Sequence, residues 1–320
     1  MPTLFLTRRD IQKLLNMKEI IAAVEQVFRD YAGGKATMPA KAYLSLQNGD
    51  LRAMPAAIYG AAGVKWVNAH PRNPLQDLPT VMAVMIYNDP ATGYPLAVMD
   101  ATDITAFRTG ATAAIAAKYM AREESVILGI VGAGRQAYTQ LKAHAELFDL
   151  KLVKVYDHSE LATQRFTHLF PQYNMQSTSL DEAIDSDILC TLTPTQQPFV
   201  RRECIKAGTH INAIGADAPG KQELDPRILT DAVVVVDNLE QATNGGEINV
   251  PLKKELYSVD QVYATLDEVI TGKKSCRENA EAITVFDSTG LAIEDIAVAK
   301  IVYEKVRNLP GYMKLDFVEA

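Results

Sequence analysis

The stretch Val126-Ile-Leu-Gly-Ile-Val-Gly-Ala-Gly-Arg-Gln-Ala137 constrains the fold more than any other part of the chain. Six mostly apolar residues run straight into G-x-G-x-x-A. After Tyr138 a helix-period pattern follows (Leu141, Ala145, Phe148), and then Lys151-Leu-Val-Lys-Val-Tyr-Asp157. The order is strand, glycine turn, helix, strand, acid. Gly132 permits a tight turn, and Gly134 lets the backbone approach a pyrophosphate. Ala137 lets the helix pack closely on its strand, and the helix N-terminus faces the phosphates. Asp157 falls about 20–25 residues past the first glycine, where a carboxylate reaches a ribose 2′-hydroxyl. A glycine triplet alone also occurs in other parallel sheets. The full context predicts a dinucleotide-binding βαβ unit, with Gly132, Ala133, Gly134, Arg135, Gln136 and Ala137 as its cradle.

A chain of 320 residues, 48% of them hydrophobic, has material for one large or two ordinary domains with a substantial core. The formal charge is -7 and no Lys/Arg cluster is present, which argues against nucleic acid or an anionic membrane as partner. Cys190, Cys204 and Cys276 are far apart, with no metal or disulfide spacing, so no metal is expected and a reduced compartment fits. The N-terminus lacks the pattern of a signal peptide, and no apolar run approaches ~18 residues. A cytoplasmic protein is expected.

Residues 1–120 do not read as a βα repeat. Thr7-x-x-Asp10 and Asn16-x-x-Glu19 look like two helix starts. Ile20, Val24, Val27, Phe28 and Tyr31 form one stripe, which Gly33-Gly34 ends. Strands are expected at 42–46, 50–54, 63–67 and 81–87, with Asn48-Gly49 as a hairpin turn. Residues 102–121 read as a small-residue helix. From Val126 the rhythm becomes strands at 126–131, 152–156, 188–191, 210–214, 233–236 and 283–286, separated by helical patterns. Runs such as Val233-Val-Val-Val236 suit strands buried on both faces of a parallel sheet. Residues 292–308 read as an amphipathic helix returning to the first domain. The expected fold is α/β: a doubly wound Rossmann domain over 117–296, plus an α+β domain over 1–116 completed by 297–320.

Ligands of such sheets lie beyond the carboxyl ends of the strands. Candidates are therefore Thr193 and Pro194, then Ile214, Gly215, Ala216 and Asp217, then Asp287, Ser288, Thr289 and Gly290. Asp217 reads either as a functional carboxylate or as a turn or helix cap. Lys65 alternates onto the face of Val67 in Gly63-Val-Lys-Trp-Val67; it either snorkels at an edge or points into a site. Arg108 shares a helix stripe with Ile104, Ala111, Thr112 and Ile115. Burial there requires an anion, either a protein carboxylate or a substrate's. Arg52 is open in the same way. His70, before Pro71, could be functional; His144, His158, His168 and His210 read as surface or structural.

At this point a resemblance emerges. Leu51-Arg-Ala-Met-Pro55, Gly63-Val-Lys-Trp-Val-Asn-Ala-His-Pro71, Leu78-Pro-Thr-Val81, Gly93-Tyr-Pro-Leu-Ala-Val-Met-Asp100 and Thr105-Ala-Phe-Arg-Thr-Gly-Ala111 carry its first half. Val131-Gly-Ala-Gly-Arg-Gln-Ala137, His210-Ile-Asn-Ala-Ile-Gly-Ala-Asp217, Pro219-Gly-Lys-Gln-Glu-Leu224 and Asp287-Ser-Thr-Gly290 carry the second. So many blocks in order resemble the ornithine cyclodeaminase/μ-crystallin family along essentially the whole chain. Within it, the chain looks most like the archaeal-type L-alanine dehydrogenases.

The resemblance implies a homodimer whose first domain binds substrate and whose Rossmann domain binds NAD. It implies that Lys65 is catalytic, that Asp217 is a catalytic acid/base, that Arg52 and Arg108 hold the substrate carboxylate, and that Thr80 lies near the site. Dimerisation is expected to bury strand edges of the first domain. Cyclodeaminases carry an acid aligned with Arg52, suited to the distal ammonium of ornithine. Arginine there would repel that ammonium by on the order of 4 kcal/mol at 4 Å and an effective dielectric of ~20. μ-Crystallin-type members lack an aspartate aligned with Asp217 and have Asn-Arg in place of Asp157-His158, so Asp157 favours NAD over NADP. The implied activity is reversible oxidative deamination of a small L-amino acid, alanine to pyruvate and ammonia being the expected case. A cyclic-imine reductase, an ornithine cyclodeaminase and a non-catalytic dinucleotide-binding protein are the alternatives.

Overall fold

The computed structural model describes residues 2–318; the extreme ends of the expected 1–116 and 297–320 spans lie outside the described residues. The chain forms two compact units. One runs to Arg108 and resumes at Leu291, and the other is Thr109–Gly290. These boundaries precede the 116/117 and 296/297 positions suggested by sequence. The reason is visible at Gly110, where an added Cβ would stand 2.5 Å from the Thr139 carbonyl oxygen. The small residues after Arg108 thus pack against the second unit.

The first unit opens with β1 (Thr3–Leu6), α1 (Arg8–Leu14) and α2 (Met17–Ala32). Thr7 caps α1, with Asp10 closing a capping box, and Asn16 caps α2. Ile20, Val24, Val27 and Phe28 line the buried side of α2, and Gly33 ends it. Then come β2 (Ala42–Leu46), β3 (Gly49–Ile58), β4 (Ala61–Ala69), β5 (Val81–Asn88), β6 (Pro95–Asp100) and α3 (Thr102–Met120). Leu46 pairs with Gly49, so the hairpin turn is Gln47-Asn48, one residue earlier than expected. Gly49 belongs to the strand: a Cβ there would meet the His70 ring at 2.7 Å.

The second unit contains β7 (Ile127–Val131), α4 (Arg135–Leu147), β8 (Leu152–Tyr156), α5 (Glu160–His168), β9 (Met175–Ser177), α6 (Leu180–Ile184), β10 (Ile188–Thr191) and β11 (His210–Ala213). It continues through α7 (Pro226–Asp231), β12 (Val233–Val236), α8 (Leu239–Gly245), α9 (Asn249–Lys253), β13 (Ala264–Thr265), α10 (Leu266–Ile270) and β14 (Thr284–Asp287). All its strands are parallel, in the order β13-β12-β14-β11-β10-β7-β8-β9. The order reverses between β7 and β10, the switch point at which such sheets bind ligands. Alternate residues of β10 enter different cores. Leu189 joins Ile211 and Val234, while Ile188 and Cys190 join Leu128 and Phe166. Burial on both faces explains the continuous apolar strands, at about 1.5–3 kcal/mol per large side chain.

The chain returns to the first unit through α11 (Ala292–Val306) and β15 (Met313–Leu315). The first sheet then reads β15-β1-β6-β5-β4-β3-β2, antiparallel except between β1 and β6. Helix α11 lies against β3, β4 and β5. The strands β1, β6, β9, β13 and β15 were not expected from sequence. Among the described residues no helix is long and apolar enough to cross a membrane.

Candidate functional site

In the first unit, cross-strand register puts Arg52 opposite Val67 and Lys65 opposite both Met54 and Met85. Arg52 and Lys65 therefore share a face, the one covered by α11. Lys65 is only 1% exposed, so it lies inside rather than snorkelling at an edge. Its Nζ lies 2.6 Å from Oδ2 of Asp295. Arg108 donates from Nε to Asp295 Oδ1 at 3.1 Å and from Nη1 to Glu294 Oε2 at 2.9 Å. Glu294 and Asp295 occupy the first turn of α11, where the helix dipole favours negative charge. Burial pushes the Lys65 ammonium down to about 7, against the opposing pull of Asp295; the Arg108 and Lys41 charges add to the drop. Burial also opposes the charge on Arg108, but Asp295 and Glu294 hold its proton more firmly than usual. Of the partners left open for Arg108, the structure supplies protein carboxylates.

Arg52 is clamped by its own strand. Nε and Nη2 reach the two oxygens of Asp50 at 2.7 and 3.0 Å, and the guanidinium carbon lies 5.3 Å from the Tyr43 ring centroid. Thr80 just precedes β5. It is out of phase with Val81, Ala83 and Met85 on the Lys65 face, and its carbonyl accepts from the His70 N–H at 2.8 Å. His70 contacts Asn68 at 3.0 Å, whose side-chain oxygen accepts from the Met82 N–H.

In the second unit the turn after β7 has the expected form. Gly132 sits at φ +102°, accessible to glycine, and donates to the Tyr156 carbonyl at 2.8 Å. Gly134 caps α4 in an extended conformation, and a Cβ added there would meet nothing within 4 Å. The cradle is thus open where a pyrophosphate would approach. Ala137 is buried, Arg135 and Gln136 are half-buried, and Gln136 keeps a buried Oε1 without a hydrogen-bond partner. Asp157 accepts from the Ala133 N–H and the Ser159 N–H, both at 2.8 Å. It ties the glycine loop to the end of β8 and keeps further lone pairs for a hydroxyl. His158, 3.3 Å from it, is exposed. These residues fit a dinucleotide.

The other strand-end loops are held by carboxylates, most of which sequence reasoning missed; Asp287 lies in a loop it singled out. Glu223 accepts from the Thr193 N–H and hydroxyl and from the Gly215 N–H. Asp237 accepts from the Thr289 and Gly290 N–H groups, both at 2.6 Å. Glu247 accepts from the Glu223 and Leu224 N–H groups, and Asp287 from those of Glu247 and Ile248. Burial raises the carboxyls of Glu223 and Glu247, and it pushes Asp287 up to about 8, with help from the Asp237 charge. Ile214, Ala216 and Ser288 are buried beside these anchors, whereas Pro194 is exposed. Asp217 is partly exposed and pairs with Lys221 at 2.5 Å. Glu223 could have been noticed inside the Pro219–Leu224 motif. Asp237, Glu247, Glu294 and Asp295 carried no local signal.

His144 and His210 are buried, as is the chain of contacts joining them. His144 Nδ1 meets the Gln140 carbonyl at 2.8 Å, and Asn212 bridges His144 Nε2 and His210 Nε2 at 3.2 and 3.1 Å. Both imidazoles are structural.

A doubly wound parallel unit with an open glycine cradle, together in one chain with a mixed-sheet unit that buries a lysine among acids and arginines, defines a dinucleotide-binding protein of two compact units. Residues 1–309 match the ornithine cyclodeaminase/mu-crystallin family, and the chain belongs to it. It is 55% identical over 319 residues to the alanine dehydrogenase of Archaeoglobus fulgidus, covering 99% of each chain. A solved archaeal alanine dehydrogenase dimer with bound NAD superposes with a TM-score of 0.97 and 53% identity, over 99% of this chain and 100% of that one. The Thermococcus litoralis Δ1-pyrroline-2-carboxylate reductase, solved with NADH and L-proline, gives 0.95 and 38%, over 98% and 100%.

Proposed function

We propose that this protein is an NAD-dependent alanine dehydrogenase. It converts L-alanine, NAD+ and water to pyruvate, ammonium, NADH and a proton, reversibly. The observation that carries this reading is the end-to-end likeness to archaeal alanine dehydrogenases, at 53–55% identity. The residues supply chemistry to match. Gly132, Ala133, Gly134, Arg135, Gln136 and Ala137 would hold the pyrophosphate, and Asp157 a ribose hydroxyl, which a 2′-phosphate would repel. Thr193, Pro194, Ile214, Gly215, Ala216, Ser288, Thr289 and Gly290 complete that site. When bound, NAD accepts the hydride from Cα. Arg52 binds the substrate carboxylate, and Arg108 adds positive charge. Lys65, poised near 7, takes a proton from the amino group or from attacking water as the imine becomes a keto acid. Asp217 serves as a second acid/base group.

The protein acts as a homodimer. The sheet face away from Lys65 carries Leu44, Leu46, Trp66, Val84 and Ile86, all well exposed. An apolar face of this kind marks an association surface, so we assign dimerisation to the sheet face rather than to strand edges. The three cysteines are free, in keeping with a cytoplasmic setting.

NADH oxidation with pyruvate plus ammonium, with pyrroline-2-carboxylate and with a matched NADPH series tests the reading. Turnover of pyruvate plus ammonium with NADH is expected. Turnover of the cyclic imine alone would replace alanine dehydrogenase with a reductase.

A further inference from the structure

We infer that Asp295 is a positioning residue for the reaction: it fixes the Lys65 ammonium and sets the pH at which that lysine exchanges its proton. The inference rests on Lys65 acting as the acid/base group of the proposed deamination.

Asp295 uses its two oxygens on two different cations, Lys65 at 2.6 Å and Arg108 at 3.1 Å. Its side chain is sealed from water, so rotating away would strand a buried cation. The partners sit on firm supports. Lys65 lies within the strand Ala61–Ala69, and Asp295 lies in the first turn of the 15-residue helix Ala292–Val306. The groups around Lys65 oppose one another. From the flanking strands come Met54 and Met85, both uncharged, with Arg52 two register pairs away on the same face and bound to Asp50. From α3 comes Arg108, and from the segment before β2 comes Lys41. From α11 come Asp295 and Glu294, the latter engaged by Arg108.

Burial, Arg108 and Lys41 favour the neutral amine, and the Asp295 carboxylate opposes them by favouring the ammonium. Without Asp295 the lysine would lose its proton at a lower pH. It could then act as a base but could not return a proton near neutrality. With Asp295 both forms are available at one pH, which a reversible deamination needs.

The test is Asp295→Asn, which keeps size and shape while removing the charge. The acid limb of the kcat/KM profile for L-alanine should move down by about one pH unit or more. Reductive amination of pyruvate at pH 7.5, which needs the ammonium, should fall about tenfold or more. Asp295→Glu should return the limb toward its original place. Glu294→Gln should raise KM and leave the limb where it was. An unmoved limb in folded Asp295→Asn overturns the inference, as does an equal displacement in Glu294→Gln. A second readout needs no turnover: 13C NMR of lysine Cε, with Lys65→Arg for assignment. A Lys65 midpoint near neutrality in the intact protein, kept in Asp295→Glu, supports the inference even if Asp295→Asn does not fold or alanine is not the substrate. A midpoint above about 9 overturns it.

Discussion

Lys65 Nζ and Asp295 Oδ2 meet 2.6 Å apart inside the first unit, with both side chains closed to water. Two charges in such a place cost desolvation energy that hydrophobic replacements would not. Arg108 and Glu294 extend the pair into a four-membered network with two cations and two anions.

Lys65→Met should fold at some cost in stability, since methionine fills most of the space and Asp295 keeps Arg108 as its partner. It should lower kcat by about 10²-fold or more, the scale of acid/base groups. Steady-state kinetics of alanine oxidation check this. Lys65→Arg should not restore the rate, because a guanidinium stays charged at all accessible pH values. Recovery in the arginine variant would reduce Lys65 to a charge holder.

Arg108→Met should lower unfolding free energy by about 3–5 kcal/mol, because Glu294 loses its arginine and Asp295 one of its two cations. Urea unfolding followed by circular dichroism measures it. A loss below about 1 kcal/mol, with only KM raised, would make Arg108 chiefly a substrate ligand.

His144 gives a pH-dependent prediction. Burial pushes its imidazole down to about 4 from an ordinary 6.5. Below 6.5 the unfolded chain takes up a proton that the folded protein refuses. Stability from the neutral imidazole is complete above 6.5 and is lost as pH falls toward 4, at about 1.4 kcal/mol per pH unit. His144→Leu has no such proton. The stability gap between the unaltered protein and His144→Leu should therefore narrow steadily from pH 6.5 to 4. A constant gap would show that the imidazole titrates normally.

Gly134→Ala should separate folding from cofactor binding. Gly134 has a negative φ of -76°, and a Cβ there meets nothing, so the melting temperature should stay put. The methyl should instead occupy the phosphate approach and weaken NADH about tenfold or more, roughly 1.4 kcal/mol by titration calorimetry. Unchanged NADH affinity would remove Gly134 from the cradle.

Features encoded over short spans were legible. The caps at Thr7 and Asn16, the turn at Gly132 and the unbroken valines of β12 each depend on neighbours within one or two turns. The hairpin slipped by one residue because Asn48-Gly49 looks like an ideal turn, while Gly49 is small for a different reason, the His70 ring. Strands β9, β13 and β15 have two or three residues, too few for a period to show. The site was half legible. Lys65 and Arg108 stood out as charges on apolar stripes, but their partners lie far along the chain. Glu294 and Asp295 look like ordinary first-turn acids until the fold presses them onto Lys65 and Arg108. Glu223 and Glu247 were hidden in the same way, since each acts on backbone N–H groups that only the folded loops bring near.

The most direct test of the account follows nitrogen rather than NADH. The purified protein is incubated with pyruvate, [15N]ammonium and NADH, and the products are read by mass spectrometry. One L-[15N]alanine per NADH consumed is the predicted result. NADH consumption with pyrroline-2-carboxylate, without 15N entering alanine, would contradict it.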